Sequence, residues 1–131
     1  IYANDLYLNG ALVTDLSIPD NITEIGYHAF YGCSSLASVT IHENITSIKR
    51  SAFDECSNLA KIYCKPTTPP AIQHFNSDES VFPFNSGMKI YVPREAYDAY
   101  MQYEYTSGIG GMTTQAHWYY YESYVEPYDF E

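Results

Sequence analysis

Ile18-Pro-Asp-Asn-Ile-Thr-Glu-Ile25, followed by Ala29-Phe30, Cys33-Ser-Ser-Leu36 and Val39-Thr-Ile41, recurs as Ile41-His-Glu-Asn-Ile-Thr-Ser-Ile48, Ala52-Phe53, Cys56-Ser-Asn-Leu59 and Ile62-Tyr-Cys64. Matched positions are 23 residues apart: Ile22 with Ile45, Ile25 with Ile48, Phe30 with Phe53, Cys33 with Cys56, Leu36 with Leu59. A fixed period of this length marks coils that cannot bury their apolar edge alone and must stack. Within each coil one short alternation stands out: Leu16-x-Ile18, Val39-x-Ile41, Ile62-x-Cys64 and Ile90-x-Val92, at steps of 23, 23 and 28. Alternate residues of a strand face opposite ways, so each predicts a strand with two side chains inward and one outward. The strands would form a parallel ladder. The longer third step is assigned to added loop at Thr67-Thr-Pro-Pro70 and at the polar stretch Asn76 to Ser80, with Phe75, Phe82 and Phe84 filling the interior.

Other positions follow from local chemistry. Asp20-Asn21 and Glu43-Asn44 predict tight turns after the strands. Ala29-Phe30 and Ala52-Phe53 predict a short helical turn with Phe plugging the core. Lys49 stands where the first copy has Gly26, so that turn should tolerate a side chain. The recurrence of Asn21-Ile-Thr23 as Asn44-Ile-Thr46 at the repeat period fits turn geometry better than glycosylation. Cys33 and Cys56 would sit on adjacent coils, ~5 Å apart, which permits a disulfide; their place among Phe and Leu favours buried free thiols. Leu6-Tyr-Leu8 and Ala11-Leu-Val13 flank Asn9-Gly10, which predicts a hairpin over residues 1–15 continuing the sheet. Pro93 can open a helix, and Tyr97, Tyr100 and Met101 recur at helical spacing, predicting a helix over 94–105 ended by Gly108 to Gly111. From residue 95 onward lie nine of the 15 Tyr and seven acidic residues. These rings read either as packing that seals the last coil or as an exposed aromatic platform, carbohydrate being the ligand class for the latter.

The pattern Ile-Pro-x-x-Ile-Thr-x-Ile-Gly-x-x-Ala-Phe-x-Gly-Cys-x-x-Leu-x-x-Val-x-Ile is similar to the BspA-like bacterial leucine-rich repeat, tightly over residues 16–64 and more loosely on both sides. His42 where the pattern prefers Pro, and Lys49 for Gly, depart from it. The resemblance implies an α/β solenoid, a right-handed superhelix with a parallel strand ladder, an N-terminal hairpin and a C-terminal aromatic cap with a short helix. It also implies export, display on a bacterial surface, and adhesion or contact with a host or matrix protein. The chain is expected to be one domain: hairpin 1–15, coils 16–93, helix and cap 94–131. It opens on Ile1-Tyr-Ala-Asn4, which reads as a processed or excised piece with any export signal upstream.

Composition narrows the function classes. Lys+Arg 6 against Asp+Glu 16 gives a formal net charge of -10, which disfavours nucleic acid and anionic membrane surfaces. No stretch approaches the ~18 apolar residues of a membrane span. His28, His42, His74 and His117 are scattered without ligand spacing, no Gly-x-Ser-x-Gly elbow occurs, and Gly108-Ile-Gly-Gly111 lacks the Lys and Ser/Thr of a phosphate loop. No metal, no cofactor and no enzymatic activity are expected. The outward row of the ladder is Asp15, Ser17, Pro19; Ser38, Thr40, His42; Lys61, Tyr63, Lys65; and Lys89, Tyr91, Pro93. All six basic residues fall between Lys49 and Arg94, so a local positive stripe with two tyrosines is predicted here. Thr40, His42, Lys61, Tyr63, Lys65, Lys89 and Tyr91 are the candidate partner-binding residues. The alternatives are that Lys only guards exposed strands against aggregation, and that the chain is a structural spacer.

Overall fold

The computed structural model describes residues 7–8, 11–72, 80–101, 104–106, 113–115 and 117–130. In chain order the strands are β1 (Tyr7–Leu8), β2 (Ala11–Leu12), β3 (Asp15–Ser17), β4 (Glu24–Ile25), β5 (Ser38–Ile41), β6 (Ser47–Ile48), β7 (Lys61–Cys64), β8 (Ala71–Ile72), β9 (Lys89–Pro93), β10 (Glu104–Thr106), β11 (Thr113–Gln115) and β12 (Val125–Tyr128). Among the described residues one α-helix, α1 (Tyr97–Tyr100), follows a 3-10 turn at Arg94–Ala96.

Two parallel ladders carry the fold. The larger runs β12-β9-β7-β5-β3, pairing Leu16 with Val39, Val39 with Ile62 and Ile62 with Ile90. Val39, Ile62 and Ile90 are completely buried, as the alternation predicts. The smaller ladder, β4-β6-β8, aligns Ile25, Ile48 and Ile72. Its strands are two residues long, too short for any alternation to show, and sequence reasoning missed it. Both fit a solenoid-like repeat fold.

The corner between the ladders is made of turns, which corrects the expected helical turn at Ala-Phe. Amides of alternate residues serve different partners. Ala29, Tyr31 and Cys33 donate within the coil, to the carbonyls of Gly26, His28 and Phe30; His28, Phe30 and Gly32 donate across, to Arg50, Ala52 and Asp54 of the next coil. This shape needs left-handed residues, and they recur at the repeat period: His28 (φ 56) with Ser51 (φ 61), and Gly32 (φ 72) with Glu55 (φ 63). A Cβ at Gly26 would meet nothing within 4 Å, so Lys49 fits there at no steric cost.

Phe plugs stack along the axis. Phe30 and Phe53 lie 5.3 Å apart at 12°, Phe53 and Phe82 5.6 Å apart at 12°, and Phe82 then meets Trp118 at 5.6 Å and Tyr121 at 5.5 Å. The rings beyond Phe82 are pinned by their polar atoms. Trp118 Nε1 donates to the Pro70 carbonyl (2.8 Å), Tyr100 Oη to the Pro66 carbonyl (2.6 Å), and Tyr121 Oη accepts from the Phe82 amide (3.2 Å). Cys33, Cys56 and Cys64 are buried and unbridged, with Cys56 Sγ donating to the Phe30 carbonyl (3.1 Å).

The two ends differ. Ile22 in the first coil is 36 % exposed, whereas Ile45, one coil on, is 1 % exposed; Phe30 is half-buried while Phe53 is fully buried. Two expectations about the ends are corrected. β1 and β2 pair antiparallel with each other as a separate two-stranded sheet, so among the described residues the ladder's edge is β3. The predicted helix over 94–105 closes at Tyr100, and residues 104–106 of its expected span instead form β10, which pairs antiparallel with β11. Tyr105, Thr106, Thr113 and Thr114 favour extended backbone, and that preference wins over the short apolar stripe. A 3-10 stretch, His117–Tyr124, then leads into β12, a fifth rung parallel to β9. The turn at Asn9-Gly10, the filler Phe75 and the run Gly108 to Gly111 lie outside the described residues.

Candidate functional site

The outer face of the larger ladder places most of the expected residues side by side. Register sets Ser38, Lys61 and Lys89 in one row, and Ser17, Thr40, Tyr63 and Tyr91 in the next. Thr40 and Tyr91 are half-buried in that row and Lys61 is exposed. Tyr63 and Tyr91 stack at 5.2 Å and 17° because parallel rungs repeat the same side-chain direction.

Two expected members change character. His42 is only 5 % exposed: its Nδ1 accepts the Asn44 amide (3.1 Å), which holds the ring in the turn after β5 instead of out in solvent. Its Nε2 is buried with no hydrogen-bond partner among the described residues. His42 therefore does not stand on the outer face of the ladder, and Pro93 is likewise buried. Lys89 stays on the face, but Glu126 Oε2 lies 2.6 Å from its Nζ, and this carboxylate raises the lysine's pKa. The positive stripe is thus partly neutralised.

β12 adds what sequence reasoning missed. Tyr128 meets Tyr91 edge-on at 5.1 Å and Tyr63 at 5.9 Å, and stacks on Phe130 at 4.8 Å, over which Lys65 Nζ lies at 5.8 Å. Arg94 forms a two-pronged pair with Asp129, 2.8 Å from Nε to Oδ1 and 3.2 Å from Nη2 to Oδ2. That guanidinium holds the Asp129 carboxyl below its usual range. Together Lys61, Tyr63, Tyr91, Arg94, Tyr128 and Asp129 surround an open depression of about 540 Å³. Pro127 within Val125-Glu-Pro-Tyr128 hid the strand, since proline argues against a ladder interior; on the outermost rung its missing donor costs nothing.

Several titratable groups among the described residues lie in the interior. Burial pushes the Cys56 and Cys64 thiols and the Tyr121 hydroxyl each up to about 12, and raises the Tyr100 hydroxyl. Burial also raises Asp54, opposed by the Glu55 amide that donates to its carboxylate. No cluster of three or more His, Cys, Asp or Glu able to hold a metal forms among the described residues. No helix among the described residues is long and apolar enough to cross a membrane. Trp118 and Tyr121 are buried, so these two rings pack against the last coil instead of forming an exposed platform.

A family model described as the BspA type leucine rich repeat region matches residues 3–92 in six copies. No curated protein matches the chain at a significant level.

Proposed function

Since the chain belongs to the BspA-type leucine-rich repeat family, we propose that it is a non-enzymatic protein-interaction module that docks partners on the outer face of its larger ladder. The observation carrying this reading is the depression ringed by Tyr63, Tyr91 and Tyr128 with Lys61 and Arg94 at its lip. Tyrosine gives large contact area with little side-chain entropy to lose, and a hydrogen-bonded ladder holds the rings in place before a partner arrives. The coils wind as a right-handed superhelix, the usual hand for parallel crossovers, and the C-terminal rings act as the cap on its last coil. The site of action is the outside of a bacterial cell, in adhesion to a host or matrix protein. The test replaces Lys61, Tyr63, Lys89 and Tyr91 together with Ala and measures binding to a panel of purified extracellular-matrix and host-surface proteins. A loss of about tenfold or more, against an unchanged circular dichroism spectrum, supports the reading; unchanged binding removes the face.

A further inference from the structure

Lys61 and Arg94 line the depression, Lys89 stands on the rung beside Lys61, and the chain treats the three cations unequally. Lys89 is neutralised by Glu126 and Arg94 by Asp129, both from the final segment. Lys61 has neither an ion pair nor a hydrogen bond to its ammonium among the described residues, and it is exposed. Its register partners are Ser38 on one side and Lys89 on the other. Of these two lysines on neighbouring rungs, ~4.8 Å apart, Lys89 faces the Glu126 carboxylate and Lys61 presents its ammonium to solvent.

Residues 126–130 show what the face accepts. Glu126 sets its carboxylate on one lysine, Tyr128 lays its ring against Tyr91 and Tyr63, and Phe130 takes the ammonium of Lys65. The pattern is an acid followed by rings, laid on a row of cations beside tyrosines. Building on the docking reading above, we propose that the depression receives an acidic, ring-bearing segment of a partner protein, with a carboxylate of that segment on the Lys61 ammonium and its ring against Tyr63. About 540 Å³ suits one or two side chains rather than a folded element. A basic segment would meet the unneutralised Lys61. Residues 126–129 of a second copy are not the donor, because they are engaged at their own Lys89 and Arg94. The net charge of -10 opposes an acidic ligand at long range, but screening confines that repulsion to a Debye length of about 8 Å at physiological salt. Short-range pairing at Lys61 therefore decides.

The experiment titrates the full chain with three capped peptides: the sequence of residues 126–130, the same with Gln and Asn for its acids, and the same with Lys for its acids. Calorimetry and chemical-shift mapping read the result. The acidic peptide should bind about two- to fivefold more tightly than the neutral one and shift Lys61, Tyr63 and Tyr91; Lys61→Glu should abolish this preference and Lys61→Arg keep it. Equal binding of acidic and neutral peptides, a preference for the basic one, or no binding of any peptide overturns the proposal. In the first two cases, Tyr63→Ala with Tyr91→Ala still tests the face itself: loss of binding leaves the docking reading standing without its acidic partner. If no peptide binds, the purified-protein panel decides the docking reading separately.

Discussion

Phe53→Ala tests the stacked-coil arrangement most directly. Phe53 is fully buried between Phe30 and Phe82, at 5.3 Å and 5.6 Å. Truncating a buried Phe costs about 3–5 kcal/mol in transfer and cavity terms, with lost ring stacking contained in that figure. Phe30 occupies the same position one coil earlier but is only half-buried with one stacked neighbour, so Phe30→Ala should cost about half as much, roughly 2 kcal/mol. A chain of 131 residues has a total stability of about 7–20 kcal/mol, so both variants should fold. With a urea m-value near 2 kcal/mol/M, the midpoint should fall by about 2 M for Phe53→Ala and about 1 M for Phe30→Ala. Urea titration followed by circular dichroism and by Trp118 fluorescence reads both. The double variant should depart from additivity, since the rings touch. Equal losses at the two positions, or a Phe53→Ala loss below about 1 kcal/mol, would refute an axial stack in which the inner rung is enclosed by its neighbours.

Glu55→Gly should stabilise by about 0.5–1 kcal/mol in thermal unfolding, because Glu55 holds φ 63 where its repeat mate is Gly32. Gly26→Ala should be neutral to stabilising, whereas Gly87→Ala, at φ 79, should destabilise by about 1 kcal/mol; the reverse order would contradict the turn geometry. Alkaline pH should weaken the fold. Cys56 and Cys64 ionise near 12 when folded but near 8.5 when unfolded, so their contribution is intact below about pH 8.5. It is lost as pH rises towards 12, at about 1.4 kcal/mol per pH unit for each thiol. Cys64→Ala should flatten that slope, and a slope unchanged by the substitution would count against the assigned burial. The Asp129 carboxyl should titrate below an ordinary aspartate by NMR and return upward in Arg94→Gln; no difference between the two would dissolve the pair.

The 23-residue register made the larger ladder readable because Val39, Ile62 and Ile90 alternate with polar neighbours on strands long enough to show a period. Ile25, Ile48 and Ile72 sit on two-residue strands, where no period exists to be read. The corner fails for a different reason: Ala-Phe looks helical by composition, yet the left-handed backbone at His28 and Ser51 is a tertiary demand, set by amides that must reach the next coil. At the candidate site, Lys61, Tyr63, Lys89 and Tyr91 were legible as outward positions of strands. His42 was not, because its ring serves its own turn. Tyr128 and Asp129 were missed since they arrive on a strand whose proline argued against it, from a segment far away in sequence.

The unequal finish of the two ends gives the molecule a direction. At the carboxyl side Trp118, Tyr100 and Tyr121 are fastened to backbone groups of Pro70, Pro66 and Phe82; at the amino side Ile22 and Phe30 face solvent in part. Opening should begin where least apolar surface is surrendered, so the coil carrying β3 and β4 peels first and each later coil is shielded until its predecessor has gone. Amide exchange lifetimes would then lengthen step by step from Phe30 through Phe53 to Phe82, a zipper with one loose tab.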